Sequence, residues 1–225
     1  MLIPAGPFPG ANHDEGIMPM PPGNVLESAD ALIVIDMQNS FLRPAGAMYQ
    51  HRGGTLRDPA GTIGRVGEVI AAAAAREVPV IYTRHCYRPG YTDAGTRTLQ
   101  LFESMGTDPL VRGTWDADIV DELTPDPSAA VVDKTRMDAF HNTDLEVLIR
   151  RVSGPRLVVT GIVTNACVET TTRSAAMRDL DVTILEDCCS TYSAEHQASA
   201  LEALEFYLFA RVESWSGSTA AAISA

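Results

Sequence analysis

Three residues with reactive side chains follow apolar segments of this 225-residue chain. Asp36 ends one apolar run, Lys134 directly follows another, and Cys167 lies a few residues beyond a third. A thiol is a strong nucleophile once it is ionised, and a nearby cation together with a helix N-terminus lowers its pKa. A carboxylate beside the thiol can take its proton and later deliver it to a leaving amine. These three residue types together would suit nucleophilic hydrolysis of an amide.

The apolar runs are typical of strands that are buried on both faces of a parallel sheet. We predict six strands, at 31–36, 78–83, 129–133, 156–161, 182–186 and 210–213. We predict helices at 58–77, 116–123, 143–151, 166–179 and 195–208, and a long loop at 85–115. Alternating strands and helices predict a doubly wound α/β fold, with a mostly parallel six-stranded sheet and helices on both faces. Ligands of such folds bind beyond the carboxyl ends of the strands, where all three reactive residues would lie.

Each of the three residues also has an ordinary alternative role. Asp36 could cap a turn, Lys134 could be a solvated surface lysine, and Cys167 could be a buried thiol that only fills space. The prediction of a catalytic site therefore depends on their joint placement at one edge of the sheet.

Composition restricts the classes of protein that this chain can be. Asp and Glu number 29 against 17 Lys and Arg, which gives a formal charge of −12. An acidic chain without a basic run is a poor nucleic-acid binder. No apolar run approaches the roughly 20 residues of a membrane-spanning helix, and the N-terminus lacks the features of a signal peptide. We expect a cytoplasmic protein that binds neither nucleic acid nor membrane.

The N-terminal residues 1–24 are rich in proline and glycine, which excludes a helix there. We predict an extended arm over 1–24, followed by a single domain over 25–225. The arm could lie over a neighbouring subunit, so we expect a homo-oligomer. The four cysteines and five histidines show no zinc-ligand spacing.

Three motifs surround the reactive residues: Ile35-Asp-Met-Gln-Asn-Ser-Phe41, Val132-Asp-Lys134 and Thr160-Gly-Ile-Val-Thr-Asn-Ala-Cys-Val-Glu-Thr170. Together they resemble the motifs of the cysteine hydrolases of the isochorismatase-like superfamily, and the resemblance runs from about residue 30 to about residue 213. It implies an Asp-Lys-Cys triad, here Asp36, Lys134 and Cys167, and an oligomer that is a dimer or tetramer. It also implies a cis peptide between Ile162 and Val163, which would aim the Val163 and Cys167 amides into an oxyanion hole.

This sequence differs from two groups of the superfamily, and these differences restrict the reaction that we expect. Nicotinamidases carry an Asp-x-His metal motif after the second strand, whereas this stretch is Thr83-Arg-His-Cys-Tyr-Arg-Pro-Gly90. We therefore expect neither metal nor cofactor. Isochorismatases that cleave a vinyl ether typically lack the nucleophilic cysteine, which is present here as Cys167. A vinyl-ether hydrolase that needs Asp36 but not Cys167 is the alternative enzyme.

The stretches Gly113–Leu123 and Lys134-Thr-Arg136 look like those of ureidoacrylate hydrolases. The resemblance thus implies the ureido and carbamoyl branch, with biuret, ureidoacrylate and N-carbamoylsarcosine hydrolases. It implies cleavage of a small amide, ureido or carbamoyl compound through a cysteine thioester, with release of ammonia.

Five further residues near the motifs are candidates for substrate binding. Phe41, Trp115 and Phe140 could form the wall of a pocket, with core packing as the alternative. Gln38 and Asn165 could bind a ureido group, or could satisfy main-chain groups in turns.

Three arginines, Arg84, Arg88 and Arg136, could pair with a substrate carboxylate or could be solvated at the surface. Cys188 and Cys189 follow the fifth predicted strand and are interpreted as structural thiols. The alternative outside enzymes is a non-catalytic homologue that serves in binding or assembly. If Cys188 or Cys189 lay next to Cys167, such a homologue could also sense redox state.

Overall fold

The computed structural model describes residues 25–54, 56–152, 154 and 156–216, and the predicted arm lies outside them. The strands are β1 (Ala31–Ile35), β2 (Val80–His85), β3 (Ala130–Lys134), β4 (Arg156–Ile162), β5 (Asp181–Ser190) and β6 (Arg211–Glu213). They form one sheet in the order β3-β2-β1-β4-β5-β6, and every neighbouring pair is parallel. The predicted six-stranded parallel sheet is confirmed.

Helices cover both faces of this sheet, as predicted. They are α1 (Asn39–Leu42), α2 (Ala47–His51), α3 (Pro59–Ala74), α4 (Thr96–Met105), α5 (Leu145–Arg151), α6 (Glu169–Ala176) and α7 (Ala194–Phe206). Successive side chains of a strand point to opposite faces. Leu32 and Val34 of β1 therefore belong to one apolar core with α3 and α4, while Ile33 and Ile35 belong to a second core with α5, α6 and α7.

The helix predictions differ from the structure in four places. No helix was predicted where α1 and α2 lie. The predicted loop at 85–115 contains α4, which Gly95 and Gly106 bound and which buries Phe102. The helix predicted at 116–123 is two short 3₁₀ turns, Trp115–Ala117 and Asp121–Leu123. The helix predicted at 166–179 begins as a wide π-helical turn, Thr164–Val168, before α6.

The strand β4 pairs with β1 at Gly161, which lies opposite Ile35. Gly161 has φ +117, and a Cβ atom there would overlap the Ile35 carbonyl oxygen. Only glycine fits this approach without moving a strand. The next peptide, Ile162–Val163, is cis, as the family resemblance implied.

Within the described residues, no helix combines the length and the apolar character needed to cross a lipid bilayer.

Candidate active site

The carboxyl ends of β1, β3 and β4 bring Asp36, Lys134 and Cys167 together. The Lys134 Nζ atom lies 2.6 Å from Asp36 Oδ2. The Cys167 sulfur lies within 4.8 Å of an Asp36 carboxylate oxygen, and both Asp36 and Lys134 act on its pKa. All three side chains are buried, so Lys134 is not the surface lysine of the alternative interpretation. The predicted triad residues therefore meet at one edge of the sheet.

Asp36 is held in place through both its main chain and its side chain. Its φ of +52 turns the chain out of β1. Thr83 Oγ1 donates a hydrogen bond of 2.6 Å to Asp36 Oδ1. Among the described residues, no well-aligned hydrogen bond reaches Oδ2, although the Lys134 ammonium is beside it. Oδ2 can therefore accept a proton from the neighbouring thiol.

Lys134 is a buried cation that is stabilised by its neighbours. Its Nζ donates a hydrogen bond of 3.1 Å to the Arg136 carbonyl oxygen. Burial lowers the pKa of Lys134, but the neighbouring Asp36 and Cys167 side chains more than offset burial and leave the pKa raised. Lys134 is therefore an ammonium at neutral pH and compensates the charge of Asp36.

Cys167 lies in the wide turn Thr164–Val168, which α7 anchors. Thr164 Oγ1 donates a hydrogen bond of 2.7 Å to Gln197 Oε1 in α7. Burial raises the pKa of the Cys167 thiol to about 12; Lys134 opposes this shift and Asp36 adds to it. The lowered pKa expected from the sequence is therefore wrong, because burial outweighs the cation. At rest Cys167 is therefore a neutral thiol, and it would need a base in order to attack as a nucleophile.

His85 is a fourth titratable group beside the triad. One of its ring nitrogens, an Asp36 oxygen and the Cys167 sulfur all lie within 4.8 Å of one another. Its Nε2 is 2.7 Å from the Tyr87 hydroxyl. Burial lowers the pKa of His85 to about 3, with a further lowering by Lys134 that Asp36 partly opposes. The imidazole is therefore neutral at physiological pH.

Asp36, His85 and Cys167 carry donor types that zinc accepts. A divalent cation would compete with the Lys134 ammonium, which already neutralises Asp36. It would also have to displace the proton of a thiol whose pKa is about 12. These residues therefore fit a divalent cation poorly.

A cavity of about 500 Å³ opens over the triad. Asp36, His85 and Cys167 line its base. Apolar side chains form much of the remaining wall: Phe41, Met48, Leu101, Phe102, Leu110 and Met137. The cavity thus combines a reactive base with an apolar wall that can hold the body of a small molecule.

Two of the five predicted substrate-binding residues, Phe41 and Asn165, line this cavity. Phe41 contributes to the apolar wall. Asn165 Oδ1 accepts a hydrogen bond of 2.6 Å from Thr191 Oγ1. This bond orients the amide so that its NH₂ group is the part left to donate to a ligand.

The other three predicted substrate-binding residues do not line the cavity, and this corrects the sequence interpretation. The Gln38 amide donates to the carbonyl oxygens of His85 and Ala117 and accepts from the His85 N–H, so main-chain groups satisfy it. Trp115 is 49% exposed. Phe140 packs in the core on the other face of the sheet, with Arg178 over its ring at 4.6 Å.

The three arginines considered as carboxylate ligands bind other parts of the protein. Arg84 pairs with Asp133 at 2.8 Å, and Arg88 with Asp93 at 3.9 Å. Arg136 donates to the carbonyl oxygens of Asp93 and Thr135.

Sequence reasoning missed several residues that line the cavity. Arg52 follows α2, Tyr192 and His196 lie near the start of α7, and Thr98, Leu101 and Phe102 lie on α4. A signal for α4 was present, since apolar residues at helical spacing, Leu99 and Phe102, lie between two glycines. No sequence signal distinguished Arg52 from the other arginines.

Comparisons with known proteins identify the family and the fold of this chain. An isochorismatase domain model matches residues 30–216. The ureidoacrylate amidohydrolase RutB of Methylobacterium radiotolerans is 35% identical over 201 residues, covering 83% of this chain and 74% of that protein. A cysteine hydrolase structure from Pseudomonas syringae pv. phaseolicola has a TM-score of 0.74 at 31% identity, covering 90% of this chain and 93% of that one. An N-carbamoylsarcosine amidase structure from Thermoplasma acidophilum has a TM-score of 0.65 at 22% identity, covering 82% and 95%, and shares the fold.

The chain therefore belongs to the isochorismatase family. Within that family it is an amidohydrolase, an enzyme that breaks a carbon–nitrogen bond.

Proposed function

We propose that this enzyme hydrolyses a ureido carboxylate of the ureidoacrylate class. Cys167 is the nucleophile, Asp36 the proton shuttle and Lys134 the electrostatic partner. The observation that carries the proposal is the position of the Cys167 sulfur at the base of a cavity. It lies within 4.8 Å of an oxygen of the buried Asp36 carboxylate, which is itself paired with the buried Lys134 ammonium. The relatives named ureidoacrylate amidohydrolase support the substrate class.

In the first half of the reaction, Asp36 takes the proton of the Cys167 thiol as the sulfur attacks the carbonyl carbon. A carbon–sulfur bond forms, and the carbonyl electron pair moves to oxygen. The amides of Val163 and Cys167 donate to this oxyanion. When the tetrahedral intermediate collapses, the carbon–nitrogen bond breaks, and Asp36 returns the proton to the leaving nitrogen.

In the second half, water hydrolyses the thioester. Asp36, again a carboxylate, takes a proton from the water as its oxygen attacks the thioester carbon. The carbon–sulfur bond then breaks, and the sulfur recovers a proton from Asp36. Lys134 stays protonated throughout and compensates whichever of Asp36 and Cys167 is negative.

Among the cavity residues, Asn165 is suited to hold the ureido group during these steps, and His85 and Phe41 form part of its surroundings. The NH₂ group of Asn165 can donate to an oxygen of the substrate. The neutral imidazole of His85 adds no charge beside the triad, so the Asp36–Lys134 pair remains balanced. Phe41 contacts the apolar part of the molecule.

The test is ammonia release by the wild-type enzyme from ureidoacrylate, biuret, N-carbamoyl amino acids, nicotinamide and simple amides. We expect the highest kcat/KM with a ureido carboxylate. Turnover of isochorismate, with no release from any ureido or amide compound, would overturn the proposal in favour of vinyl-ether hydrolysis.

We also propose that the protein is a cytoplasmic homo-oligomer. Three consecutive apolar residues at the end of α7, Phe206, Tyr207 and Leu208, are each at least 65% exposed. Such a patch favours contact with a second copy. All four cysteines are free thiols, which suits a reducing compartment. Light scattering of the purified chain tests the oligomer, and a monomer at micromolar concentration would contradict it.

A further inference from the structure

We propose that Arg52 binds the anionic group of the substrate in the same cavity as Cys167. This inference rests on the proposed function and names the residue that selects a charged ureido compound over a neutral one.

The charge balance of the cavity is the first support. The protein carries a formal charge of −12, which repels an anionic substrate over long distances. The one carboxylate among the described lining residues, Asp36, is neutralised by Lys134. The one lysine or arginine among those lining residues is Arg52. The cavity wall therefore keeps a net positive charge at Arg52.

The pairing of Arg52 is the second support. Within the part of the chain that the structure describes, Arg52 forms no ion pair. Arg84 and Arg88, in contrast, already bind carboxylates of the protein. A guanidinium offers two parallel N–H groups that match the two oxygens of a carboxylate. The guanidinium of Arg52, which lines the cavity, is thus available to bind a carboxylate through both of its N–H groups.

The position of Arg52 is the third support. Arg52 directly follows α2, and its main-chain N–H donates a hydrogen bond of 3.1 Å to the Met48 carbonyl oxygen of that helix. Its guanidinium carbon lies 5.7 Å from the centre of the Tyr192 ring. Stacking on an aromatic ring restricts a guanidinium, so less freedom is lost when it binds an anion.

Tyr192 also connects Arg52 to the reacting sulfur. Burial raises the pKa of the Tyr192 phenol, Arg52 opposes that shift, and Cys167 adds to it. Tyr192 is therefore within electrostatic range of both residues. A ureido carboxylate with its carbonyl carbon at Cys167 can place its carboxylate toward Arg52, along the wall that Tyr192 forms.

The experiment uses a matched pair of probes, ureidopropionate and its methyl ester, which differ in the charge of one group. In the full-length enzyme, we expect Arg52→Gln to lower kcat/KM for the acid by roughly 10–100-fold, mainly through a higher KM. The ester should change by less than about twofold. Arg52→Lys should recover part of the activity on the acid, because it restores the charge without the planar fork.

The control variant is Arg76→Gln. Arg76 is an exposed arginine beyond the end of α3, and its guanidinium donates to the Ala72 carbonyl oxygen. This change removes the same charge from the protein and should leave the acid-to-ester ratio unchanged. If Arg76→Gln lowers the ratio as much as Arg52→Gln does, the effect is one of overall charge and the inference is wrong.

Binding measurements separate this inference from the proposed function. Calorimetry on Cys167→Ala, which cannot turn over, should show tighter binding of the acid than of the ester. Adding Arg52→Gln should abolish that preference. If the wild type hydrolyses neither these probes nor ureidoacrylate, but Cys167→Ala shows this preference, the proposed function fails and the inference stands. Three results would overturn the inference. Arg52→Gln could weaken the binding of both probes equally, it could leave the preference for the acid intact, or neither probe could bind.

Discussion

Two buried thiols lie at the carboxyl ends of neighbouring strands, Cys167 beyond β4 and Cys189 in β5. Burial is the main cause that raises the pKa of each to about 12. Their surroundings differ, because Cys167 meets both Asp36 and Lys134, whereas the charge that acts on Cys189 is the Asp187 carboxylate. Burial alone therefore leaves a thiol inert. A carboxylate that can move its proton, with a cation to balance that carboxylate, makes a thiol suitable for catalysis.

The largest expected effect comes from removing each sulfur in turn. Cys167→Ala should lower kcat by at least about 10⁴-fold, because no other group can form the thioester. Cys189→Ala should keep kcat within a few-fold and lower the free energy of unfolding by about 1 kcal/mol. Steady-state kinetics and urea unfolding of both variants measure this. If Cys189→Ala loses as much activity as Cys167→Ala, the distinction between the two thiols fails.

The next-largest effect comes from removing Lys134, a cation that has no counterpart beside Cys189. Lys134→Met should lower kcat roughly 10³-fold, and it should lower the free energy of unfolding by about 3–5 kcal/mol, because Asp36 is left buried and uncompensated. Unfolding in urea and single-turnover kinetics measure both changes.

The double variant Asp36→Asn with Lys134→Met controls for that loss. It removes both charges, so it should recover much of the stability while remaining inactive. A double variant that is no more stable than Lys134→Met would contradict the role of Lys134 as the compensating charge.

The smallest effect concerns the dependence of stability on pH. His85 titrates near pH 6.5 in the unfolded chain and near 3 in the folded protein. The contribution of neutral His85 to the free energy of unfolding is therefore fully present above pH 6.5. It is lost as pH falls toward 3, by about 1.4 kcal/mol per pH unit. As pH falls from 6.5 to about 4.5, the free energy of unfolding of His85→Asn should fall less steeply than that of the wild type.

The matched control for this variant is Cys189→Ala, which lies outside the triad region. It should keep the wild-type dependence on pH across the same range. Equal slopes in the wild type and in His85→Asn would show that other groups cause the acid destabilisation.

The sheet and the triad could be predicted because both depend on local patterns. A strand covered on both faces needs a continuous apolar run, and the parallel topology then brings Asp36, Lys134 and Cys167 to one edge. The raised pKa of Cys167 could not be predicted, since it depends on how deeply the cavity base is buried. Local sequence patterns predict where these residues lie, whereas tertiary packing determines whether they are protonated.

The walls of the cavity were predicted less well than its base. Gln38 and Phe140 stand near the triad motifs in sequence, yet one side chain serves the main chain and the other packs on the opposite face of the sheet. Arg52 and Tyr192 reach the cavity from segments with no recognisable motif. Their positions depend on how α2 and the segment after β5 pack, which neither periodicity nor composition encodes.

The strand β2 lies between β1 and β3, so Lys134 reaches across it to meet Asp36. Synthesis proceeds from the N-terminus, so the ribosome makes the acid first, the cation second and the nucleophile last. The sulfur gains its partners only when β4 pairs with β1. In a chain that has not yet folded, the Cys167 thiol has its ordinary pKa and no carboxylate beside it. Folding raises that pKa and supplies Asp36 as the base, so the thiol is shielded from other reagents at the same step that prepares it for its substrate.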